Sequence, residues 1–278
     1  MKATLVLCTK NGGDRLRECL RNINLLDVVD LQVVIVDNGS DDGVSYELSK
    51  EFERETRFDC VVLQTFEPGN SAGRNRAVEL IEGDFCVFID DDCYASPSLI
   101  NEWASVFSSH DIGYGSGKIR RHNPQHSWLG CYEGTEIRWV NAGDVVPRGL
   151  IQGSNMAFLT KAIRSVGLFD VRFGAGTPLA GEEWELALRV SFAGWAGGYF
   201  PGPEVSHDHR RVDAEAASRG RYYDYGGGAV YAKHARSPNR LKVIKRFISD
   251  VFAYRSPAST LMLLRGFLEF YPKYEYQK

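Results

Sequence analysis

Short apolar runs that break off in polar, carboxylate-bearing turns recur through the first third of the chain. Ala3 to Cys8 reads as a buried strand, followed by the glycine-bearing turn Thr9-Lys10-Asn11-Gly12-Gly13-Asp14. Asp14 is placed to cap a helix in which Leu16, Cys19, Leu20 and Ile23 repeat at helical spacing. Leu31 to Val36 predicts a second strand that stops at Asp37-Asn38-Gly39-Ser40-Asp41-Asp42-Gly43. Phe52 falls in the next helix, Val61 to Gln64 in a third short strand, and Asn70 to Ile81 in a loop feeding another helix. The run Phe85-Cys-Val-Phe-Ile then ends in Asp90, Asp91 and Asp92, the pattern of a buried strand that delivers charge to a crevice.

Strand followed by helix, repeated up to that acidic triplet, predicts an α/β fold: a parallel sheet with helices on both faces. Ligands of such sheets bind outside the carboxyl ends of the strands. Those ends carry Thr9 to Asn11, Asp37 to Gly39 and Asp90 to Asp92, so three polar turns are expected on one rim.

The second half differs. A stretch rich in Trp, Tyr and Gly starts at Lys118 to Arg121, followed by Gly153-Ser154-Asn155-Met156-Ala157-Phe158 and the loop Phe173 to Pro178. Gly181-Glu182-Glu183 opens a helix from Trp184 to Ala193, its carboxylates in the first turn where the helix dipole favours negative charge. Gly197 to Val205 predicts a last strand ending at His207-Asp208-His209, with helices from Arg210 onward. The expected organisation is a first half over 1–110, a second half over 111–210 and a helical extension over 211–278.

From residue 232 to 278 there are ten Lys or Arg against Asp250, Glu269 and Glu275, interleaved with Phe247, Val251, Phe252, Leu261, Leu263, Leu264, Phe267 and Leu268. This tail fits either an anionic membrane face or a helix pair packed on the domain with a solvated basic side. A net charge of −3 gives no bulk electrostatic case for nucleic acid. The six cysteines show neither a CxxC pair nor zinc-like spacing with histidine, so a reduced, cytoplasmic chain is the simplest expectation. No apolar leader and no eighteen-residue uncharged apolar run occur.

Three adjacent carboxylates repel and lose hydration if packed inward, so they either stay wet or are neutralised by a cation. Their hard oxygens suit Mg²⁺ or Mn²⁺ alongside substrate phosphates. The plainer reading is a solvated acidic turn capping a helix near Ser96-Pro97.

The ordered motifs resemble those of the family 2 glycosyltransferases of GT-A fold. They are Leu-Cys-Thr-Lys-Asn (7–11), Val-Asp-Asn-Gly-Ser-Asp-Asp-Gly (36–43), Gly-Asn-x-x-Gly-Arg-Asn (69–75) and Phe-Ile-Asp-Asp-Asp (88–92), then Gly-Ser-Asn-Met-Ala-Phe (153–158), Gly-Leu-Phe-Asp (167–170), Gly-Glu-Glu-x-Glu-Leu-Ala-Leu-Arg (181–189) and the histidine pair. The resemblance covers residues 3–210, and the tail only loosely. It implies a Rossmann-like three-layer α/β/α sandwich with a helical C-terminal tail, and inverting transfer of a sugar from a nucleoside diphosphate donor to a glycan or lipid-linked acceptor, in surface polysaccharide assembly. It also implies a divalent cation, manganese before magnesium because an imidazole suits Mn²⁺ better.

By that resemblance Asp92 contacts the metal with Asp90 as a further ligand, Asp90 and Asp91 flank it with at least one of them available to a ribose hydroxyl, and His207, ahead of His209, completes the metal shell. Glu183 stands where the family carries Asp and is expected to be the base, with Glu182 the alternate. Thr9, Asn11, Asp37 and Asn38 correspond to nucleoside-contacting turns, and Arg74 is expected to meet the diphosphate or base edge as a fixed fork. Trp128, Trp139, Trp184 and Trp195 are candidates to stack on sugar faces. The basic tail suggests peripheral contact at the inner face of the cell membrane.

Three rivals follow. A nicotinamide dehydrogenase would carry GxGxxG in its first turn, and Thr-Lys-Asn-Gly-Gly-Asp does not match. A catalytically silent nucleotide-sugar or glycan-binding module of the same fold accommodates the Glu-Glu departure. An acidic Ca²⁺ site predicts metal affinity indifferent to nucleotide.

Overall fold

In a computed structural model the described residues are 1–253 and 256–273. The apolar runs become the parallel strands β1 (Ala3–Thr9), β2 (Leu31–Asp37), β3 (Asp59–Gln64) and β4 (Phe85–Asp90). β2 is buried at every position, as a strand covered on both faces must be, which is why Val33 to Val36 are apolar without alternation. The helices α1 (Gly13–Asn24), α2 (Ser45–Glu55) and α3 (Asn70–Val78) link these strands. Leu16, Cys19, Leu20 and Ile23 of α1 are buried, as their spacing required.

Three local expectations are corrected. The N-cap of α1 is Gly12, and Asp14 sits in the first turn without capping it. The stretch from Asn70 is itself helical, because small residues let α3 lie close on the sheet: a Cβ at Gly73 would touch Cys8, Asn38 and Val36. The acidic triplet caps no helix; β5 (Cys93–Ala95) follows it, and α4 (Leu99–Ser109) starts at the N-cap Ser98.

The sheet continues through β6 (Tyr114–Arg121), β8 (Asn155–Leu159) and β9 (Gly197–His207), with short β7 (Arg138–Val140) paired to β9. Its order is β3-β2-β1-β4-β8-β6-β9-β5. β8 runs antiparallel to β4 and to β6, so the sheet is mixed where a parallel one was expected. One nine-stranded sheet thus takes strands from both 1–110 and 111–210. β9 also runs two residues past its expected end, to His207. The order reverses between β1 and β4, which sends α1 and α2 to one face and α3 to the other and opens a crevice at the strand ends.

α5 (Thr160–Val166) and α6 (Glu182–Phe192) precede β9, and α7 (Asp213–His234), α8 (Arg240–Ala253) and α9 (Pro257–Phe270) follow it. α7 carries Gly226-Gly227-Gly228 at its centre, where α9 crosses it. A Cβ on Gly228 would run into the Leu263 carbonyl, and one on Gly266 into that of Tyr225. The glycines are there for backbone approach, which offsets their poor helix propensity. No described helix is long and apolar enough to cross a membrane. Of the basic tail, Arg255, Glu275 and Lys278 lie outside the described residues, as does the side chain of Lys273.

Candidate active site

Strand register brings the polar turns together. Thr9 stands opposite Asp37, and Cys8 opposite Asp90, so three adjacent strands end side by side. Thr9 Oγ1 donates to Asp91 Oδ2 at 2.6 Å, and the Asn38 amide donates to the Thr9 carbonyl at 2.8 Å. These ends open into a cleft of about 660 Å³ whose far wall is the start of α6 and one side of α7.

The three aspartates occupy three environments. Asp90 accepts from Arg74 at 3.2 Å and from Ser154 Oγ at 3.2 Å. Burial, with the charges of Asp92 and Asp90, pushes the Asp91 carboxyl up to about 6 against the Thr9 hydrogen bond. Burial acts the same way on Asp92, but the hydrogen bond and charge of His207, with Arg15 and Arg211, outweigh it and bring that carboxyl down to about 2.

His207 reaches Asp92 because β5 and β9 pair antiparallel, setting Cys93 opposite His207. Its Nε2 lies 3.3 Å from Asp92 Oδ1, while its Nδ1 donates to the Gly130 carbonyl at 3.1 Å. Burial pulls the imidazolium down; the Asp92 hydrogen bond, Cys131 and the charges of Asp92 and Asp90 push it up to about 10.

This donor set fits a divalent cation. Anchoring Nδ1–H on a backbone carbonyl leaves Nε2 aimed beside a carboxylate oxygen, the usual support for a metal-ligating histidine. Among the described residues Asp92, Cys93 and His207 place one ligand atom each within 4.8 Å of one another. Burial holds the Cys93 thiol well above its usual range, so it stays protonated and is a poor ligand. Asp90, expected among the metal ligands, is not in this group, and Arg74 and Ser154 engage its two oxygens. His209 is turned away, its Nε2 donating to the Ser127 carbonyl and its Nδ1 accepting from Arg211.

Across the cleft, Gly181 takes the left-handed conformation (φ 105°) that turns the chain into α6. Glu182 is buried and accepts from Arg74 at 2.9 Å. Glu183 lines the cleft, and burial together with the charge of Glu182 raises its carboxyl well above the usual range. Arg74, expected in a loop, sits inside α3 with only 3% exposure. Two carboxylates thus hold its fork from opposite walls.

Asp37 and Asn38 are buried at the base of the strand ends. Asp37 Oδ1 accepts from Ser40 and Gln64, whereas Asp37 Oδ2 and Asn38 Oδ1 have no hydrogen-bond partner among the described residues. Buried acceptors left unpaired are costly and mark where a ligand donor belongs. Asn11 does not line the cleft; it is exposed and clasps Asp41 through its side-chain amide, tying the β1 and β2 turns together. Of the tryptophans, Trp184 is a core residue at the cleft floor whose Nε1 donates to Val146. Trp128 and Trp139 are about half exposed and lie outside the cleft lining, and Trp195 packs on Gly113.

The cleft also contains residues that sequence reasoning missed. Arg15 pairs with Asp92 at 3.1 Å, and Arg211 adds positive charge there. Arg219 lies over the rings of Tyr222 and Tyr223, 4.8 and 5.4 Å from their centroids. Only the position of Arg211, four residues after His207, was a usable sequence signal; the others arrive by packing of α1 and α7.

Residues 4–131 match the sequence model described as Glycosyl transferase family 2. That segment resembles the family. The chain is 24% identical over 250 residues to the pre-mycofactocin glycosyltransferase of Mycobacterium tuberculosis, covering 85% of this chain and 48% of that protein. It is 24% identical over 126 residues to the poly(ribitol-phosphate) beta-glucosyltransferase of Bacillus spizizenii, covering 44% of this chain and 20% of that one. The chain therefore spans from a fifth to about half of the length of these curated relatives. Among solved structures, S. aureus TarS 1-349 in complex with UDP-GlcNAc superposes with a TM-score of 0.70 at 15% identity, covering 97% of this chain and 80% of that one. The mannosyltransferase PcManGT of Pyrobaculum calidifontis, in complex with GDP-Man and Mn²⁺, gives 0.68 at 15%, covering 99% and 88%. At that identity the likeness establishes the GT-A fold, as the motifs predicted.

Proposed function

We propose that this chain is a divalent-metal-dependent, inverting glycosyltransferase that moves a sugar from a nucleoside diphosphate sugar to a hydroxyl of a glycan or lipid-linked acceptor. The observation that carries the reading is the arrangement of one cleft. The Asp92–His207 pair stands on one wall and the Glu183 carboxyl, made more basic by its surroundings, on the other. The TarS and PcManGT structures, solved with UDP-GlcNAc and with GDP-Man and Mn²⁺, support a sugar nucleotide as ligand.

In this reading Asp37, Asn38 and Thr9 receive the nucleoside, and Asp92 and His207 hold the cation. When bound, Mn²⁺ or Mg²⁺ neutralises the charge that develops on the departing diphosphate. Arg15 and Arg211 add positive charge at the same place. Glu183 takes the proton of the acceptor hydroxyl as its oxygen bonds to the anomeric carbon and the bond to the diphosphate breaks on the opposite face. Arg74 fixes Glu182 beside it, so the base is oriented from the acidic cluster itself.

The test is purified protein with Mn²⁺ and a panel of UDP, GDP and dTDP sugars, followed by calorimetry and by NMR of the product anomer. Metal-dependent binding of one donor with transfer, or slow hydrolysis, to the inverted anomer supports the proposal. Binding without turnover on any acceptor favours a silent module, and metal binding indifferent to nucleotide favours a simple cation site.

A further inference from the structure

The helix α8 has two apolar faces. On one, Val243 is buried and Phe247 and Val251 pack on the body, Phe247 stacking on Phe267 at 4.4 Å. The other faces solvent: Leu241 is 78% exposed, Ile248 49% and Phe252 84%, with Ile244 beside them at 37%. At about 100° per residue these four fall within an arc of roughly 80°, a continuous strip about 16 Å long at 1.5 Å rise per residue. A surface helix normally turns that arc to water with polar residues.

Positive charge lies beside the strip. Lys245 borders its solvent side and Arg240 stands at the start of the helix, near the side that Val251 and Phe247 turn to the body; both are exposed and without a carboxylate partner among the described residues. The two other cations of α8 turn elsewhere: Lys242 donates to the Gly143 carbonyl, and Arg246 pairs with Asp250 within the helix.

From this we infer that α8 is a peripheral docking face for an anionic lipid bilayer, with Leu241, Ile244, Ile248 and Phe252 entering the acyl boundary and Arg240 and Lys245 meeting headgroup phosphates. An apolar strip bordered by cations at headgroup level is the pattern of an in-plane interfacial helix. The core of a protein interface is depleted of charge instead. The helix is too short and too charged to span a membrane. The inference is independent of the transferase reading, since it rests on a face that no cleft residue shares.

The experiment is co-sedimentation of the full chain with phosphatidylglycerol-containing vesicles and with pure phosphatidylcholine vesicles, at low and high salt. Binding to the anionic vesicles, weakened by salt, is expected. Leu241→Ser with Phe252→Ser should abolish it while circular dichroism and the melting temperature stay unchanged, because both side chains are exposed. Arg240→Gln and Lys245→Gln should each weaken it about fivefold. No vesicle binding by the parent chain, or undiminished binding by the double serine variant, overturns the inference. So does a concentration-dependent dimer that the double variant dissolves, which assigns the face to a second copy.

Discussion

Arg74 donates to Glu182 at 2.9 Å across 108 residues of chain. The same guanidinium holds Asp90 at 3.2 Å, so one buried fork spans the cleft from the strand ends to the start of α6. Removing it would leave the buried Glu182 carboxylate without its partner and Asp90 without its cation. Arg74→Met is therefore expected to cost about 3–5 kcal/mol of stability, as loss of one partner from a buried ion pair does. Arg74→Lys keeps the charge but not the two-armed geometry. It should fold, bind donor and lose kcat, which denaturant titration with steady-state kinetics will separate. A lysine variant with unchanged kcat would remove Arg74 from any role in orienting the base.

Glu183→Gln should leave donor binding intact and reduce transfer by about a hundredfold or more, the usual contribution of a positioned base. Glu182→Gln should act differently, weakening the Arg74 link and so stability as well as rate. Equal activity of Glu183→Gln and the parent would exclude Glu183 as the base.

Asp91 gives a trade of stability against binding. Its folded carboxyl is raised to about 6, above the ordinary 3.8 of the unfolded chain. The unfolded state ionises first, so stability falls as pH rises from about 4 to about 6 and stays reduced above it. Asp91→Asn should relieve this, stabilising the metal-free protein at pH 7 by about 3 kcal/mol while weakening donor binding. Thermal melts at pH 4 and pH 7 check it: the two proteins should differ little at the lower pH.

Metal binding should release a proton. With His207 raised to about 10, the imidazole is charged at pH 7, and ligation requires its neutral form. Calorimetry of Mn²⁺ binding in buffers of different ionisation enthalpy should report about one proton released, and none in His207→Gln. The raised value also means that the Asp92 pairing stabilises the metal-free fold fully below about 6.5, and that this contribution is lost as pH climbs toward 10.

The glycine crossing of α7 and α9 offers a structural test. Gly228→Ala or Gly266→Ala inserts a methyl group against a backbone carbonyl that cannot turn aside. Each should cost about 1–3 kcal/mol or more, whereas alanine normally strengthens a helix. Gly220→Ala, with open space around its Cβ position, is the control and should be neutral or stabilising.

Much of the strand-end rim was legible in the sequence because it is local. Apolar runs ending at Thr9, Asp37 and Asp90 announce strands and the polar turns at their ends, and parallel register then needs only short crossovers to line them up. The Asn70 stretch misled for an equally local reason: Asn, Ser, Gly and Arg carry no apolar period, and packing on the sheet made it helical. Asn11 misled because it sits in the right turn but bonds sideways to Asp41.

By itself the chain determined the α/β class, the rim of carboxylates and the glutamate pair at a helix start, since strand burial, turn chemistry and helix dipoles act over a few residues. Only the tertiary structure decided which carboxylate faces His207, that Arg74 is a buried strut, and that Arg15, Arg211 and Arg219 enter the cleft. Those choices depend on antiparallel pairing of β5 with β9 and on helices packed from distant segments, and no spacing along the chain encodes which charges will meet.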